Sequence, residues 1–303
     1  MRGVFVDANE ALAVIFERLT KPGDPEVSIH RDPDVASDQL ADVLGGAEIA
    51  IVDHTALPTE VARTCSGLKH VVFLGTGARS YMNPEELSQL GIAVHLIRGY
   101  GDTAVAESTI ALMWAAARGI AQMDREMRAG NWLREDGMQL TGKTLGLIGF
   151  GGIAAEVARI ALGIGMRVIA WNRTAKTCPG VDFVDLKTLL VASHVVSLHL
   201  LLNDETRGFL SRQRIASMRP GVVLVNTARG ALVDEQAMID ALKSGHIRHA
   251  GLDVFNIEPL PADHPLTKLP NVTLSAHSAF RTPEASENLI GAAWDHCRRI
   301  AAG

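Results

Sequence analysis

The apolar run Leu145, Gly146, Leu147 and Ile148 passes straight into Gly149-Phe150-Gly151-Gly152-Ile153-Ala154, and Ile153, Val157, Ile160 and Ala161 then recur at helical spacing. A buried strand, a glycine turn and a helix in this order restrict the chain to α/β architectures. In such a turn Gly149 allows a sharp bend and Gly151 lets the backbone come close to an anion. The bare amides at the helix N-terminus then face a phosphate or pyrophosphate. Taken alone, the same pattern also describes a tight turn with no ligand. The motif lies at the middle of a 303-residue chain, so a domain of ordinary size precedes it.

Short apolar runs alternate with helical patterns on both sides of the turn. Before it come Val4-Phe5-Val6, Val27-Ser28-Ile29, Ile49-Ala50-Ile51-Val52, Val71-Val72-Phe73-Leu74 and Ile92-Ala93-Val94-His95-Leu96. After it come Val168-Ile169-Ala170-Trp171, Val195-Val196-Ser197-Leu198, Val222-Val223-Leu224-Val225, Ala250-Gly251-Leu252-Asp253 and Val272-Thr273-Leu274-Ser275. This alternation predicts two parallel sheets, each covered by helices. One long helix is expected from about Thr103 to Ala129, with apolar faces broad enough to serve a subunit interface as well. A second is expected over Thr282 to Ile300, with Pro283 at an early position.

Composition removes several function classes. A net charge of −5 offers no general attraction for nucleic acid or an anionic membrane. No apolar stretch is long enough to span a bilayer, and the N-terminus enters a strand pattern without a signal-type apolar region. Cys65, Cys178 and Cys297 are too scattered for a metal or disulfide framework, so no metal is expected and a reducing cytoplasm is the expected location.

Polar residues that follow the late strands of a parallel sheet occupy ligand-contacting positions. Three segments qualify: Val225-Asn226-Thr227-Ala228-Arg229-Gly230, Gly251-Leu252-Asp253-Val254-Phe255-Asn256-Ile257-Glu258-Pro259 and Leu274-Ser275-Ala276-His277-Ser278-Ala279. In this order, after a mid-chain GxGxxA turn, they resemble the D-isomer-specific 2-hydroxyacid dehydrogenase family, of the glyoxylate and hydroxypyruvate reductase kind, over essentially the whole chain. The resemblance implies two doubly wound parallel-sheet α/β domains. Residues 1–99 with 282–303 would form a flavodoxin-like substrate domain, and residues 100–281 a Rossmann cofactor domain. It also implies a homodimer and a catalytic set of Arg229, Glu258 and His277.

The chemistry of these side chains suits the assignment. Reduction of a 2-oxo acid needs a cation for carboxylate and carbonyl and a proton donor for the developing alkoxide. Arg229 offers a permanently charged fork. His277 can give and retake a proton, and a hydrogen-bonded Glu258 would favour its imidazolium form. His54, His199, His246 and His264 lack such company; His199 matches a family strand-end position near the cofactor, with a structural role as the favoured alternative. Asp253 matches a family aspartate near the nicotinamide, and capping of the strand end is an equal alternative role.

Gly75-Thr76-Gly77 resembles the family loop whose amides hold the substrate carboxylate, a use that fits an anion nest. Arg79 stands near a place where the family often has aspartate, which would alter substrate choice or only loop packing. Asp102 occupies a position where asparagine is common. Gly152, Ile153, Thr206, Thr227 and Ala228 match further positions beside the cofactor, as does Thr109, for which a plain helix threonine is an equal alternative.

An acidic residue about 20 residues beyond the glycine turn would bind the adenosine ribose hydroxyls and repel a 2′-phosphate. This chain has Asn172, Arg173 and Thr174 there instead, with Lys176 close behind. Amide, guanidinium and hydroxyl groups remove the repulsion and offer donors, so NADP(H) is expected over NAD(H), with Arg173 stacking on adenine as the arrangement that would also admit NAD(H). Small 2-oxo and 2-hydroxy acids are the expected substrates, and Arg79 leaves room for an anionic side chain on them. The alternative is a dinucleotide-sensing protein of the corepressor kind, which would bind cofactor with little turnover.

Overall fold

A computed structural model describes all of residues 1–303. The chain divides into two compact units, Met1–Gly101 with Thr282–Gly303, and Asp102–Arg281. The first unit runs β1 (Arg2–Phe5), α1 (Glu10–Leu19), β2 (Glu26–Ile29), α2 (Leu40–Leu44), β3 (Ile49–Val52), α3 (Thr59–Thr64), β4 (His70–Phe73), α4 (Pro84–Gln89) and β5 (Ala93–Leu96). The second begins with α5 (Asp102–Arg118) and α6 (Ile120–Arg128), then β6 (Thr144–Ile148), α7 (Gly152–Gly163), β7 (Arg167–Trp171), β8 (Val181–Phe183), α8 (Leu186–Ala192) and β9 (Val195–Leu198). It continues through α9 (Arg212–Ala216), β10 (Val222–Asn226), α10 (Glu235–Ser244), β11 (Ile247–Leu252), α11 (Pro265–Lys268) and β12 (Val272–Leu274). The last helix, α12 (Pro283–Ala302), returns to the first unit.

Both sheets are parallel throughout. The first has the order β2-β1-β3-β4-β5, the flavodoxin-like winding, and the second the order β12-β11-β10-β9-β6-β7-β8, a Rossmann winding with one strand added at the β11 edge. Alternation along each strand feeds two cores. In the second unit Leu145, Leu147, Val168 and Val223 point to the side of α5 and α7. Their neighbours Ile148, Ile169, Leu198 and Leu224 point to the side of α8 and α10. In the first unit Phe5, Ile51 and Val72 face α1 and α12, where Phe16 stacks on Trp294 at 4.3 Å and its carbonyl accepts the indole N–H at 3.0 Å. Aromatic side chains buried this fully contribute on the order of 2 kcal/mol each.

Two elements differ from the sequence expectation. The single helix expected over Thr103 to Ala129 is broken at Gly119, whose φ of 62° ends α5 in the left-handed region and starts α6. A residue without a Cβ adopts that conformation at little cost, which helical periodicity does not register. The strand β8 has no counterpart among the expected strands. It is three residues long, lies at the sheet edge and follows Pro179-Gly180, so it carries almost no periodic signal.

Candidate active site

The winding of the seven-stranded sheet reverses between β6 and β9, and the carboxyl ends of strands beside such a switch point are open to a ligand. The glycine turn leaves β6 at this place. Gly149 has φ 89°, and a Cβ on it would lie 2.5 Å from the His199 carbonyl oxygen, so both the bend and the close approach require glycine. Gly151 precedes α7 without any side-chain cap, and a Cβ built there meets nothing within 4 Å. The first amides of α7 are thus left without a side-chain cap, as the cradle for a pyrophosphate requires. Gly152 leaves room for the Asp102 carboxylate, while Ile153 packs against the core and the fully buried Ala154 allows α7 to lie close on the sheet.

The end of β7 is stitched to this turn by Asn172. Its Oδ1 accepts the Phe150 amide at 3.1 Å and its Nδ2 donates to the Thr174 carbonyl at 2.8 Å. Arg173 is exposed, and its Nη1 lies 2.6 Å from a carboxylate oxygen of Glu205. At the end of β9, His199 sits with Nε2 2.9 Å from the Ser197 hydroxyl. Burial pushes its pKa down to about 4, so the imidazole is neutral. Thr206 donates its hydroxyl to the Leu201 carbonyl at 2.6 Å and its amide to Asn203 Oδ1 at 3.0 Å, which fixes the turn that carries Glu205.

The loop after β10 is gripped by Asn226, which is buried at the strand end. Its Oδ1 accepts the Ala228 amide at 3.0 Å and its Nδ2 donates to the Arg229 carbonyl at 2.9 Å. Gly230 lies against the Phe255 backbone so closely that a Cβ would collide with it, which joins the Arg229 loop to the segment that carries Glu258. The exposed Arg229 guanidinium donates from Nη1 to the Ala228 carbonyl at 2.6 Å. Beneath this loop the hydroxyls of Thr227 and Thr109 are 2.8 Å apart, and Thr109 is also 2.7 Å from the Val105 carbonyl.

Glu258 and His277 meet directly. Nδ1 of His277 is 2.6 Å from Glu258 Oε2, while Oε1 of the same carboxylate accepts the Phe255 amide at 2.8 Å. His277 has φ 47°, a left-handed conformation that is uncommon for a side chain of this size. Asp253 holds it there. Its carbonyl accepts the His277 amide at 2.8 Å, and its two carboxylate oxygens accept the amides of Ser278 and Ala279, each at 3.0 Å.

Two residues matched to positions beside the cofactor are buried in the second unit. Asp253 is 0% exposed and Thr109 is 1% exposed. Asp253 fills the strand-end capping role, and Thr109 supports Thr227 from α5. Asn226 was not singled out by the sequence, although a polar residue closing an otherwise apolar strand was the available signal. Glu205 had no such signal, because it lies in a polar turn whose contact with Arg173 spans 32 residues.

In the first unit, Gly75 has φ 153° and its carbonyl accepts the Ile97 amide at 3.1 Å. Gly77 leads into a short 3-10 turn at Ala78–Ser80, and Thr76 between them is exposed. Arg79 is paired with Glu85 of α4. No three His, Cys, Asp or Glu residues are arranged to hold a metal ion, and no helix is long and apolar enough to cross a membrane.

Comparison with known proteins adds the lineage. Residues 110–279 match the family model described as D-isomer specific 2-hydroxyacid dehydrogenase, NAD binding domain. The chain is 37% identical over 259 residues to a hydroxypyruvate reductase of Thermotoga maritima, an alignment that covers 83% of this chain and 84% of the relative. Among solved structures, the TT0316 protein of Thermus thermophilus superposes with a TM-score of 0.88 at 35% identity, covering 100% of this chain and 97% of that one. An acyclic imino acid reductase in complex with NADPH and D-Arg superposes with a TM-score of 0.84 at 31% identity, covering 96% of this chain and 94% of that one. With the family model spanning more than half of its length, the chain belongs to the D-isomer specific 2-hydroxyacid dehydrogenase family of oxidoreductases.

Proposed function

We propose that this NAD(P)-dependent oxidoreductase reduces small 2-oxo acids, such as glyoxylate, hydroxypyruvate or pyruvate, and prefers NADP(H). The observation that carries this is the 2.6 Å contact between Glu258 and Nδ1 of His277. With Nδ1 engaged, Nε2 is the ring atom left to hold and deliver a proton.

The bound nicotinamide supplies the hydride. Arg229 holds the substrate carboxylate or polarises its carbonyl with two parallel donors, which water-bound lysine could not reproduce. His277 gives its Nε2 proton to the oxygen that accumulates charge, and in the reverse direction takes it back. Glu258 fixes the ring orientation and balances the imidazolium charge across the 2.6 Å contact. The open amides at Gly151, Gly152 and Ile153 suit the pyrophosphate, and Asn172, Arg173 and Thr174 the adenosine ribose. In the first unit, Gly75, Thr76 and Gly77 suit a carboxylate.

Support for NADP(H) comes from Arg173 and from the absence of a carboxylate at the end of β7. The solved neighbour in complex with NADPH agrees with it. Initial rates for a panel of 2-oxo acids with NADPH and NADH test both halves. A clear preference for NADH overturns the cofactor assignment, and no turnover of any 2-oxo acid overturns the substrate class. Because that same neighbour is named for imino acids, each acid is also assayed with ammonium. Turnover only with ammonium moves the substrate class from carbonyl to imine.

A further inference from the structure

The end of β7 lacks the carboxylate that would bind a ribose 2′-hydroxyl, yet the fold brings one to the same place from another loop. Glu205 lies in the turn after β9, and its carboxylate oxygen is 2.6 Å from Nη1 of Arg173. Its placement is fixed by the chain. Asn203 accepts the Thr206 amide on Oδ1 at 3.0 Å, its own amide donates to Thr206 Oγ1 at 2.8 Å, and the Thr206 hydroxyl donates to the Leu201 carbonyl at 2.6 Å. Leu201 follows the neutral His199 by two residues, so the turn stands directly beyond the switch-point strand β9. Arg173 is similarly placed, because Asn172 ties the backbone on one side of it to Phe150 and on the other to Thr174.

We infer that Glu205 is a specificity-determining residue, a carboxylate that competes with the cofactor 2′-phosphate for Arg173 and that accepts a ribose 2′-hydroxyl when no phosphate is present. This rests on the assignment of Arg173 to the adenosine ribose. When the 2′-position carries a phosphate dianion, the phosphate and Glu205 compete for the Arg173 guanidinium, and the nearby carboxylate repels the phosphate. When the 2′-position carries a hydroxyl, the Glu205 carboxylate is an acceptor for it and plays the part of the acid missing from β7. The two residues thus form a selector whose balance sets the ratio of NADP(H) to NAD(H) affinity. The pair is exposed on both sides, so solvent screening limits the bias to roughly two- to fivefold.

Calorimetric titration of the full chain with adenosine 2′,5′-bisphosphate and with adenosine 5′-diphosphate reads this without turnover. Glu205→Gln is expected to tighten the 2′-phosphorylated ligand by roughly two- to fivefold and to weaken the diphosphate. Arg173→Ala is expected to weaken only the 2′-phosphorylated ligand. Unchanged or weaker binding of the 2′-phosphorylated ligand to Glu205→Gln, with Arg173→Ala still weakened for it, overturns the selector and leaves the NADP(H) assignment standing. An Arg173→Ala variant that binds the 2′-phosphorylated ligand as the wild type does overturns that assignment, and the selector with it. Circular dichroism of both variants, and a Glu205→Ala variant that repeats the Glu205→Gln result, separate these outcomes from any change in fold.

Discussion

Nδ1 of His277 and Oε2 of Glu258 are 2.6 Å apart, and the carboxylate is itself anchored through Oε1 to the Phe255 amide. The histidine therefore has one ring nitrogen committed to the protein and one left for substrate. Replacement of His277 by alanine is expected to lower kcat by about 10²- to 10⁴-fold, the usual contribution of a positioned acid or base. Glu258→Gln keeps the shape and removes the charge, so it should lose less than His277→Ala. Steady-state kinetics of both variants check the order, and full activity in either would remove that residue from the mechanism.

Arg229 is held by its backbone, not by its charge: Asn226 grips the loop, and the guanidinium is left exposed for a ligand. Arg229→Ala should cost on the order of 10²- to 10³-fold in kcat/KM. Arg229→Lys should recover little, because a point charge cannot replace the fork. Recovery to near wild-type kcat/KM by lysine would show that only charge is required there.

Asp253 places three successive backbone amides, those of His277, Ser278 and Ala279, and is fully buried while doing so. Asp253→Ala should destabilise the second unit by about 3 kcal/mol, the magnitude of charged hydrogen bonds lost in a buried site. Activity should fall with it, because the two amides that follow His277 lose their carboxylate partner, while the His277 amide keeps its bond to the main-chain carbonyl. Denaturant unfolding and turnover measured on the same sample check both, and unchanged stability would contradict the role.

The Asp102 carboxylate lies against Gly152 at the start of α7, and burial, reinforced by Glu156, raises its pKa above the ordinary 3.8. A carboxyl raised in the folded state favours folding while it is protonated, below 3.8, and that contribution is lost as the pH climbs through the folded value. Asp102→Asn should therefore raise the unfolding temperature at neutral pH. The gain should vanish below pH 3.8, where the wild-type carboxyl is protonated in both states. A lower melting temperature for the variant at neutral pH would contradict this.

His54 carries the opposite sign of charge, yet its contribution is lost in the same direction, as the pH rises, and over a higher interval. Its Nδ1 is 3.3 Å from Asp53 and 3.7 Å from the buried Asp7, and chiefly the Asp53 contact raises its pKa from 6.5 to about 9. Its stabilisation is complete below pH 6.5 and is lost as the pH rises through 9. The ring is partly exposed, so the effect is at most about 1 kcal/mol. Thermal melts of wild type and His54→Gln should converge across that interval, and a constant gap between them would rule the ion pair out as its cause.

The alternation of strand and helix, the mid-chain glycine turn and the three polar segments after the late strands were legible without coordinates. Local periodicity marks a buried strand such as Val195–Leu198 wherever it ends up, and Gly149 and Gly151 announce a turn by the absence of a Cβ. Arg229, Glu258 and His277 stand at strand ends, where a parallel sheet presents side chains to ligands. Tertiary structure decided what lies between distant residues. Only the fold brings Glu205 onto Arg173, seats Asp102 on Gly152 and turns both oxygens of Asp253 toward the His277 loop. It also divides the long helix at Gly119, where a single backbone angle outweighs an unbroken helical pattern. The physical reason is range: periodicity and turn chemistry act over a few residues, whereas burial and charge pairing are properties of side chains that meet only after the sheets have formed.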